Sequence, residues 1–318
     1  MKIAIFGATS YIAKDLIHSF SDNKEVSLDL FSRRPEAVRS WLEISLPDNK
    51  YRALSYSDFD NLVHYNAIIN FVGVGNPTEA IEMGMAIFDI TIQYDQKILE
   101  YLSHHPDAKY IFLSSGAVYG NDFLEPVREG TLASIDINNI LPNDWYSKAK
   151  LYTEIGHRSR DKLNIVDIRI FNYFSSTMDL TASFFICDVL RSISKHEVLQ
   201  TTKDNISRDY LHPGDLYQLV NCILSANKIN LALDCYSRAP IDKLTLLEEM
   251  KKHFGLNYFI TQSNSISPTL NYKRNYYSLN KIAEKIGYFP EKSSLECLYT
   301  ETKKILNSNG NAMLAGQS

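Results

Sequence analysis

The chain has 318 residues, 45% of them hydrophobic and 22% charged, so it has length and composition for one large or two intimate globular domains. A formal net charge of −4 gives no electrostatic reason to expect nucleic acid or an anionic membrane as a partner. No apolar run is long enough to span a bilayer, and the four cysteines are too far apart for a zinc or redox motif and are expected to be reduced.

The first element, Lys2–Phe6, reads as a short buried strand. Its early start leads us to expect no leader peptide and a cytoplasmic protein. Gly7-Ala-Thr-Ser-Tyr-Ile-Ala13 then turns into a helix ending near Phe20. A Gly-led turn into a helix N-terminus is a place to hold a phosphate, because unpaired N–H groups and the helix dipole both favour an anion there. Dinucleotide-binding turns put glycine at the positions of Gly7, Ser10 and Ala13. A small side chain suffices at Ala13, whereas the Ser10 hydroxyl would either crowd the pyrophosphate or bind it.

A second strand, about Val26 to Phe31, ends in Ser32-Arg-Arg-Pro35. An acid at such a strand end accepts from a ribose 2′-OH, and an arginine accommodates a 2′-phosphate. Asp29 lies within the strand and not at its end. Ser32, Arg33 and Arg34 therefore favour NADP(H) over NAD(H), the plainer reading being two arginines on a surface turn. Tyr51–Ser55 is a weakly marked third strand. Ala67–Val72 is a clear buried strand closing in Gly73-Val-Gly-Asn-Pro77, whose glycines allow close backbone approach. A helix from about Ile87 to Ser103 leads to the strand Tyr110–Leu113 and then Ser114-Ser-Gly-Ala-Val-Tyr-Gly120. Ligands of open parallel sheets bind beyond the carboxyl ends of the strands, which puts Ser115 where chemistry is expected.

Asn143-Asp-Trp-Tyr-Ser-Lys-Ala-Lys150 opens the next helix, predicted to run to about Asp161. Tyr146 and Lys150, four residues apart, share one helix face. A nearby cation favours a phenolate, and a Tyr tuned in this way can exchange a proton with a sugar or alcohol oxygen. Tyr277 and Lys281 repeat the spacing and read as part of a surface helix. Ile165–Phe171 is a further strand running into Asn172. Strands alternating with helices predict a doubly wound parallel sheet. The second half mixes helices (181–194, 214–226, 244–254 and 279–286) with short strands and reads as a smaller region covering a substrate. The polar tail beyond Leu306 reads as disordered. His104 and His105 are adjacent and share no helix face, so no metal site is expected.

Taken together, Gly7–Ala13, Ser114–Gly120, Tyr146–Lys150, Arg169–Asn172 and Arg208-Asp-Tyr-Leu-His-Pro-Gly-Asp215 resemble the extended short-chain dehydrogenase/reductase family. Within it, they resemble the nucleotide-sugar epimerases, dehydratases and 4-ketoreductases. Tyr277–Pro290 is similar to the family's closing segment, so the resemblance spans nearly the whole chain. It implies an α/β, Rossmann-type doubly wound sheet over residues 1–173, completed by about 205–230. A smaller α/β substrate-binding region would comprise 174–204 and 231–306, with 307–318 as the disordered tail.

The resemblance also assigns roles. Ser115 would hold the reacting sugar oxygen, Tyr146 would be the acid-base residue, and Lys150 would lower its pKa and bind the nicotinamide ribose. Gly7, Thr9, Ser10, Tyr11, Ile12, Ser32, Arg33, Arg34 and Gly73 would line the cofactor, with Phe171 near the nicotinamide. Asn172 and Arg208 would contact a nucleotide-sugar diphosphate, a bond to Asp209 or Asp215 being the plainer role for Arg208.

Departures from the family pattern narrow the choice. Gly116-Ala117 stand where the 4,6-dehydratases carry Asp-Glu. Ser32-Arg33 stand where NAD-holding 4-epimerases place an acid. Thr91 replaces the usual Asn on the preceding helix. The expectation is an NADPH-dependent reductase of a nucleotide-linked 4-keto-6-deoxy sugar in surface-polysaccharide synthesis, acting as a homodimer. The alternatives are an NAD-dependent nucleotide-sugar 4-epimerase and a non-catalytic NADP-sensing module; intact Ser115, Tyr146 and Lys150 argue against the latter.

Overall fold

The computed structural model describes residues 1–74, 77–261 and 273–315, so Gly75 and Asn76 of the glycine turn and residues 316–318 of the tail lie outside it. A seven-stranded parallel sheet forms the centre, in the order β11-β6-β5-β4-β1-β2-β3. The strands are β1 (Lys2–Phe6), β2 (Ser27–Ser32), β3 (Arg52–Ser55), β4 (Ala67–Asn70), β5 (Lys109–Ser115), β6 (Asn164–Ile170) and β11 (Asn230–Cys235). This is the doubly wound, Rossmann-like arrangement expected.

The apolar runs explain the parallel centre. β1 and β4 are buried almost throughout, as strands covered on both faces must be. Successive side chains point to opposite faces: Ile3 and Ile5 join one core, Ala4 and Phe6 the other. Helix α1 (Tyr11–Phe20) covers the first face with Ala13, Leu16, Ile17 and Phe20, a helical stripe. α2 (Pro35–Ser45), which opens on a proline, joins it there through Val38 and Leu42. α3 (Pro77–Met83) precedes α4 (Ala86–His104), which covers the other face with Ile98 and Leu102 and packs beside α5 (Trp145–Arg158).

A separate core gathers Phe174, Val189, Leu190, Leu247, Met250 and Leu298. It draws on α6 (Phe185–Lys195), α8 (Lys243–Phe254) and α9 (Ser294–Ala315), while α7 (Pro213–Ser225) returns to the first face of the sheet. Short strands surround it. β7 (Asn172–Tyr173) pairs with β10 (Tyr210–Leu211), and β8 (Val198–Thr202) with β13 (Asn257–Thr261). β9 (Ser207–Arg208) lies between β12 (Ile241–Asp242) and β14 (Asn275–Tyr276).

Three expectations need correction. α6 begins at Phe185 and not Thr181, because Asp179 takes the backbone N–H and hydroxyl of Thr181 into a local turn that competes with helix. The helix expected over 279–286 is a single 3-10 stretch, Ile282–Ile286, so Tyr277 and Lys281 share no helix; the Lys281 ammonium lies over the Tyr236 ring instead. The tail does not lose its structure at residue 307, since α9 continues to Ala315; extending an existing helix is far easier than nucleating one. Among the described residues, no helix is long and apolar enough to cross a membrane.

Candidate active site

The strand order reverses at β1, which pairs with β2 on one side and β4 on the other. Loops leaving neighbouring strands there diverge and open a crevice. Gly7 follows β1 with φ +79, and a Cβ on it would lie 2.8 Å from the backbone of Phe71. Only glycine lets the two loops meet so closely. The Gly7 N–H donates to Phe31 O at 3.0 Å and lies 3.1 Å from the Tyr56 hydroxyl, while Ser10 N–H closes the turn on Gly7 O at 2.9 Å. Ser10 precedes α1 and makes no side-chain cap among the described residues, and such an uncapped helix start suits an anion. Thr9 lies half-buried in this turn, Ile12 packs on the first core, and Tyr11 turns inward against Tyr173 with a ring separation of 5.8 Å.

The end of β2 carries Ser32, whose hydroxyl is buried with no partner among the described residues. Arg33 and Arg34 beside it are exposed. Arg33 acts electrostatically on Tyr56 and Arg34 on Lys14 of α1, so three cations surround the mouth of the turn. Asp29 does not reach it. Its carboxylate takes Arg52 at 2.7 and 2.5 Å and the Tyr65 hydroxyl at 2.8 Å, with Lys2 at 3.2 Å. An orphaned hydroxyl, an uncapped helix start and nearby cations, with no free carboxylate among the described residues, fit the phosphate-bearing end of a dinucleotide.

On the β4–β5 side, the Lys150 ammonium donates to Leu113 O at 2.8 Å and lies 4.3 Å above the Phe112 ring. Gly73, at φ +146, faces it closely: a Cβ there would be 3.1 Å from Nζ. Burial lowers the Lys150 pKa to about 8, although Asp95, Asp167 and Glu154 act in the opposite sense. Tyr146 departs from expectation. Burial raises its pKa, and the opposing influence comes from the Ser115 hydroxyl and not from Lys150, whose ammonium is engaged by Leu113 and Phe112.

Ser115 ends β5, and its hydroxyl accepts from Ala117 N–H at 3.2 Å. The neighbouring Ser114 donates to Glu154 at 2.5 Å, and Glu154 in turn takes Arg169 of β6 through both carboxylate oxygens. This ties α5 to the ends of β5 and β6. Phe171 is buried directly below: a Cβ on Gly116 would lie 2.5 Å from its ring.

Asn172 lies on β7 and Arg208 on β9. Asn172 is register partner of Tyr210 and donates to Asp209 O at 3.4 Å. Arg208 donates to Ser207 O and Lys273 O, both at 2.8 Å. It forms no ion pair among the described residues. Asp209 is occupied by Ser237 and Ser294, and Asp215 by the N–H groups of Glu291 and Lys292. His212 supports the following turn by accepting from Gly214 N–H at 3.0 Å. Thr91, at the family's usual Asn position, turns back to Ile87 O at 2.6 Å.

Sequence reasoning missed Tyr276. It is the register partner of Arg208, its hydroxyl is 3.5 Å from Ser115 Oγ, and its ring is 5.2 Å from that of Phe171. No local pattern signals it, since a two-residue strand paired across the chain places it.

A family model described as "NAD dependent epimerase/dehydratase family" matches residues 3–232. A UDP-glucose 4-epimerase 2 from Oryza sativa subsp. japonica is 28% identical over 112 residues, 34% of this chain and 26% of the rice protein's length. The fold is shared with a UDP-glucuronic acid 4-epimerase from Bacillus cereus, solved with UDP-glucuronic acid and NAD. The identity is 16% and the TM-score 0.77, with 96% of this chain and 99% of that one covered. It is shared too with a UDP-N-acetylglucosamine 4-epimerase from Methanobrevibacter ruminantium M1, at 15% identity and TM-score 0.76, over 96% and 98% of the two chains.

Proposed function

Since the chain belongs to the NAD-dependent epimerase/dehydratase family, we propose that it reduces a nucleotide-linked 4-keto-6-deoxy sugar with NADPH, for surface-polysaccharide synthesis. One observation carries the reading. The end of β2 offers a buried Ser32 hydroxyl with no partner among the described residues and Arg33 and Arg34 beside it, while the carboxylate of Asp29 is held by Arg52, Tyr65 and Lys2. A 2′-phosphate is favoured there and a 2′-OH is offered no acid.

Bound NADPH supplies a hydride to the C4 carbonyl carbon. The turn at Gly7 and the start of α1 hold the pyrophosphate. Ser115 donates to the carbonyl oxygen as charge develops on it, and Tyr146 gives that oxygen its proton. A phenol raised by burial keeps its proton at neutral pH, which suits the reductive direction. Lys150, still mainly charged at pH 7, holds the nicotinamide ribose. Arg208, with no acid paired to it among the described residues, and Asn172 receive the diphosphate. A homodimer through α4 and α5 is supported by Tyr152 and Ile155, 58% and 59% exposed on α5.

A second reading, nucleotide-sugar 4-epimerisation with NAD, is favoured by the solved epimerases that share the fold. Deuteride transfer separates the two. With 4-deuterated NADPH and a nucleotide-linked 4-keto-6-deoxy hexose, the reductase reading expects deuterium at C4 and one NADPH consumed per sugar. Interconversion of 4-hydroxy sugars without net consumption would replace it with the epimerase.

A further inference from the structure

Behind Lys150 lies a cluster of ionisable groups that the reaction above does not use. α5 presents Tyr146, Lys150, Glu154 and His157 at spacings of four, four and three, one continuous face. His157 has no solvent exposure. Its Nδ1 lies 2.6 Å from Asp167 Oδ1 on β6, and its Nε2 2.8 Å from Asp95 Oδ1 on α4. A neutral imidazole has one N–H, so two carboxylate partners call for the imidazolium.

The cluster also reaches the cofactor side of the sheet. Asp95 Oδ1 accepts from the Tyr110 hydroxyl at 2.8 Å, and that hydroxyl accepts from Asn70 Nδ2 at 2.9 Å. Asn70 Oδ1 then accepts from the Val72 N–H at 2.9 Å, immediately before the Gly73 that packs on Lys150. The Phe112 ring under Lys150 meets the His157 ring at 5.4 Å on an edge.

We propose that the Asp95–His157–Asp167 cluster is a positioning element for Lys150. It locks α5 to α4 and β6, fixes the Val72–Gly73 turn through Tyr110 and Asn70, and keeps carboxylates near the ammonium. The charges that act on Lys150 are Asp95 from α4, Asp167 from β6 and Glu154 from α5. His157 and Arg158 neutralise the first two in part, and Arg169 the third. A cation buried against these groups depends on their number and placement.

The place of Lys150 in the site comes from the reading above, but the test reads Lys150 and not turnover, so either can fail alone. The side-chain signal of Lys150 in ¹³C-lysine-labelled protein, assigned by its loss in Lys150→Met, is titrated in the wild type and two variants. Asp95→Asn keeps the shape and removes one charge; the Lys150 midpoint, near pH 8, is expected to fall by roughly one pH unit. Tyr110→Phe leaves every charge in place and cuts the link to Asn70; the Val72 amide is expected to exchange with solvent about tenfold faster. An unchanged Lys150 midpoint in folded Asp95→Asn would overturn the proposal, as would an unchanged Val72 exchange rate in Tyr110→Phe. If Asp95→Asn does not fold, the Tyr110→Phe result decides alone.

Discussion

The phenol oxygen of Tyr276 lies 3.5 Å from Ser115 Oγ, although the two residues are 161 positions apart in the chain. The contact joins β14 to the end of β5, because Tyr276 rides on β14 beside Arg208 while Ser115 ends β5. Tyr276→Phe removes the hydroxyl and keeps the ring against Phe171 and Phe123. The expected result is an unchanged melting temperature and a loss of about tenfold or less in kcat/KM, the scale of one neutral hydrogen bond. Steady-state kinetics on the variant check it.

The mouth of the cofactor turn makes a charge prediction. Replacing both Arg33 and Arg34 by alanine removes two exposed cations and little packing. NADPH affinity is expected to fall by at least tenfold with NADH affinity unchanged, since a charge-assisted contact contributes roughly 1.5–3 kcal/mol. Fluorescence titration with each cofactor reads the difference.

Gly73→Ala tests the close approach to Lys150. The substitution puts a Cβ at φ +146 and 3.1 Å from Nζ, so the backbone is strained and the ammonium must move. A loss of about 1–3 kcal/mol in stability is expected, together with weaker cofactor binding. Urea unfolding measures the first and titration the second.

His157 predicts how stability depends on pH. Burial opposes its charge, but Asp167 and Asp95 outweigh burial and carry its pKa from 6.5 to about 9. Below pH 6.5 the folded and unfolded chains both hold this proton and the stabilisation is complete. Between 6.5 and 9 only the folded chain holds it, so stability falls as pH rises, by on the order of 3 kcal/mol in all. Lys150 works in the opposite sense only above about pH 8, where its depressed pKa relieves a burial cost. Urea unfolding from pH 6.5 to 8 therefore isolates His157: the wild type is expected to decline and His157→Gln to stay flat.

The sheet was legible because its signal is local. Ile3–Phe6 and Ala67–Asn70 are apolar runs that suit no exposed strand, and Gly7 and Ser115 fall at strand ends where ligands of such sheets bind. Tyr146 and Lys150 were readable from helix periodicity. The direction of the Tyr146 shift was not, because it comes from burial first and from Ser115, on another element, second. Tyr276, Asp95 and His157 were hidden for a related reason. Their roles come from contacts across long sequence separations, such as the 62 residues between His157 and Asp95, with no local periodicity to announce them. The segment 181–184 misled because its helical pattern is overridden by the Asp179–Thr181 turn.

The most direct measurement is of the cofactor itself. Purified protein is treated with acid, any released dinucleotide is identified, and the emptied protein is titrated with NADPH and NADH. Little retained cofactor and at least tenfold tighter binding of NADPH, through Ser32, Arg33 and Arg34, are expected. Tightly retained NAD, with no preference for the 2′-phosphate, would contradict it.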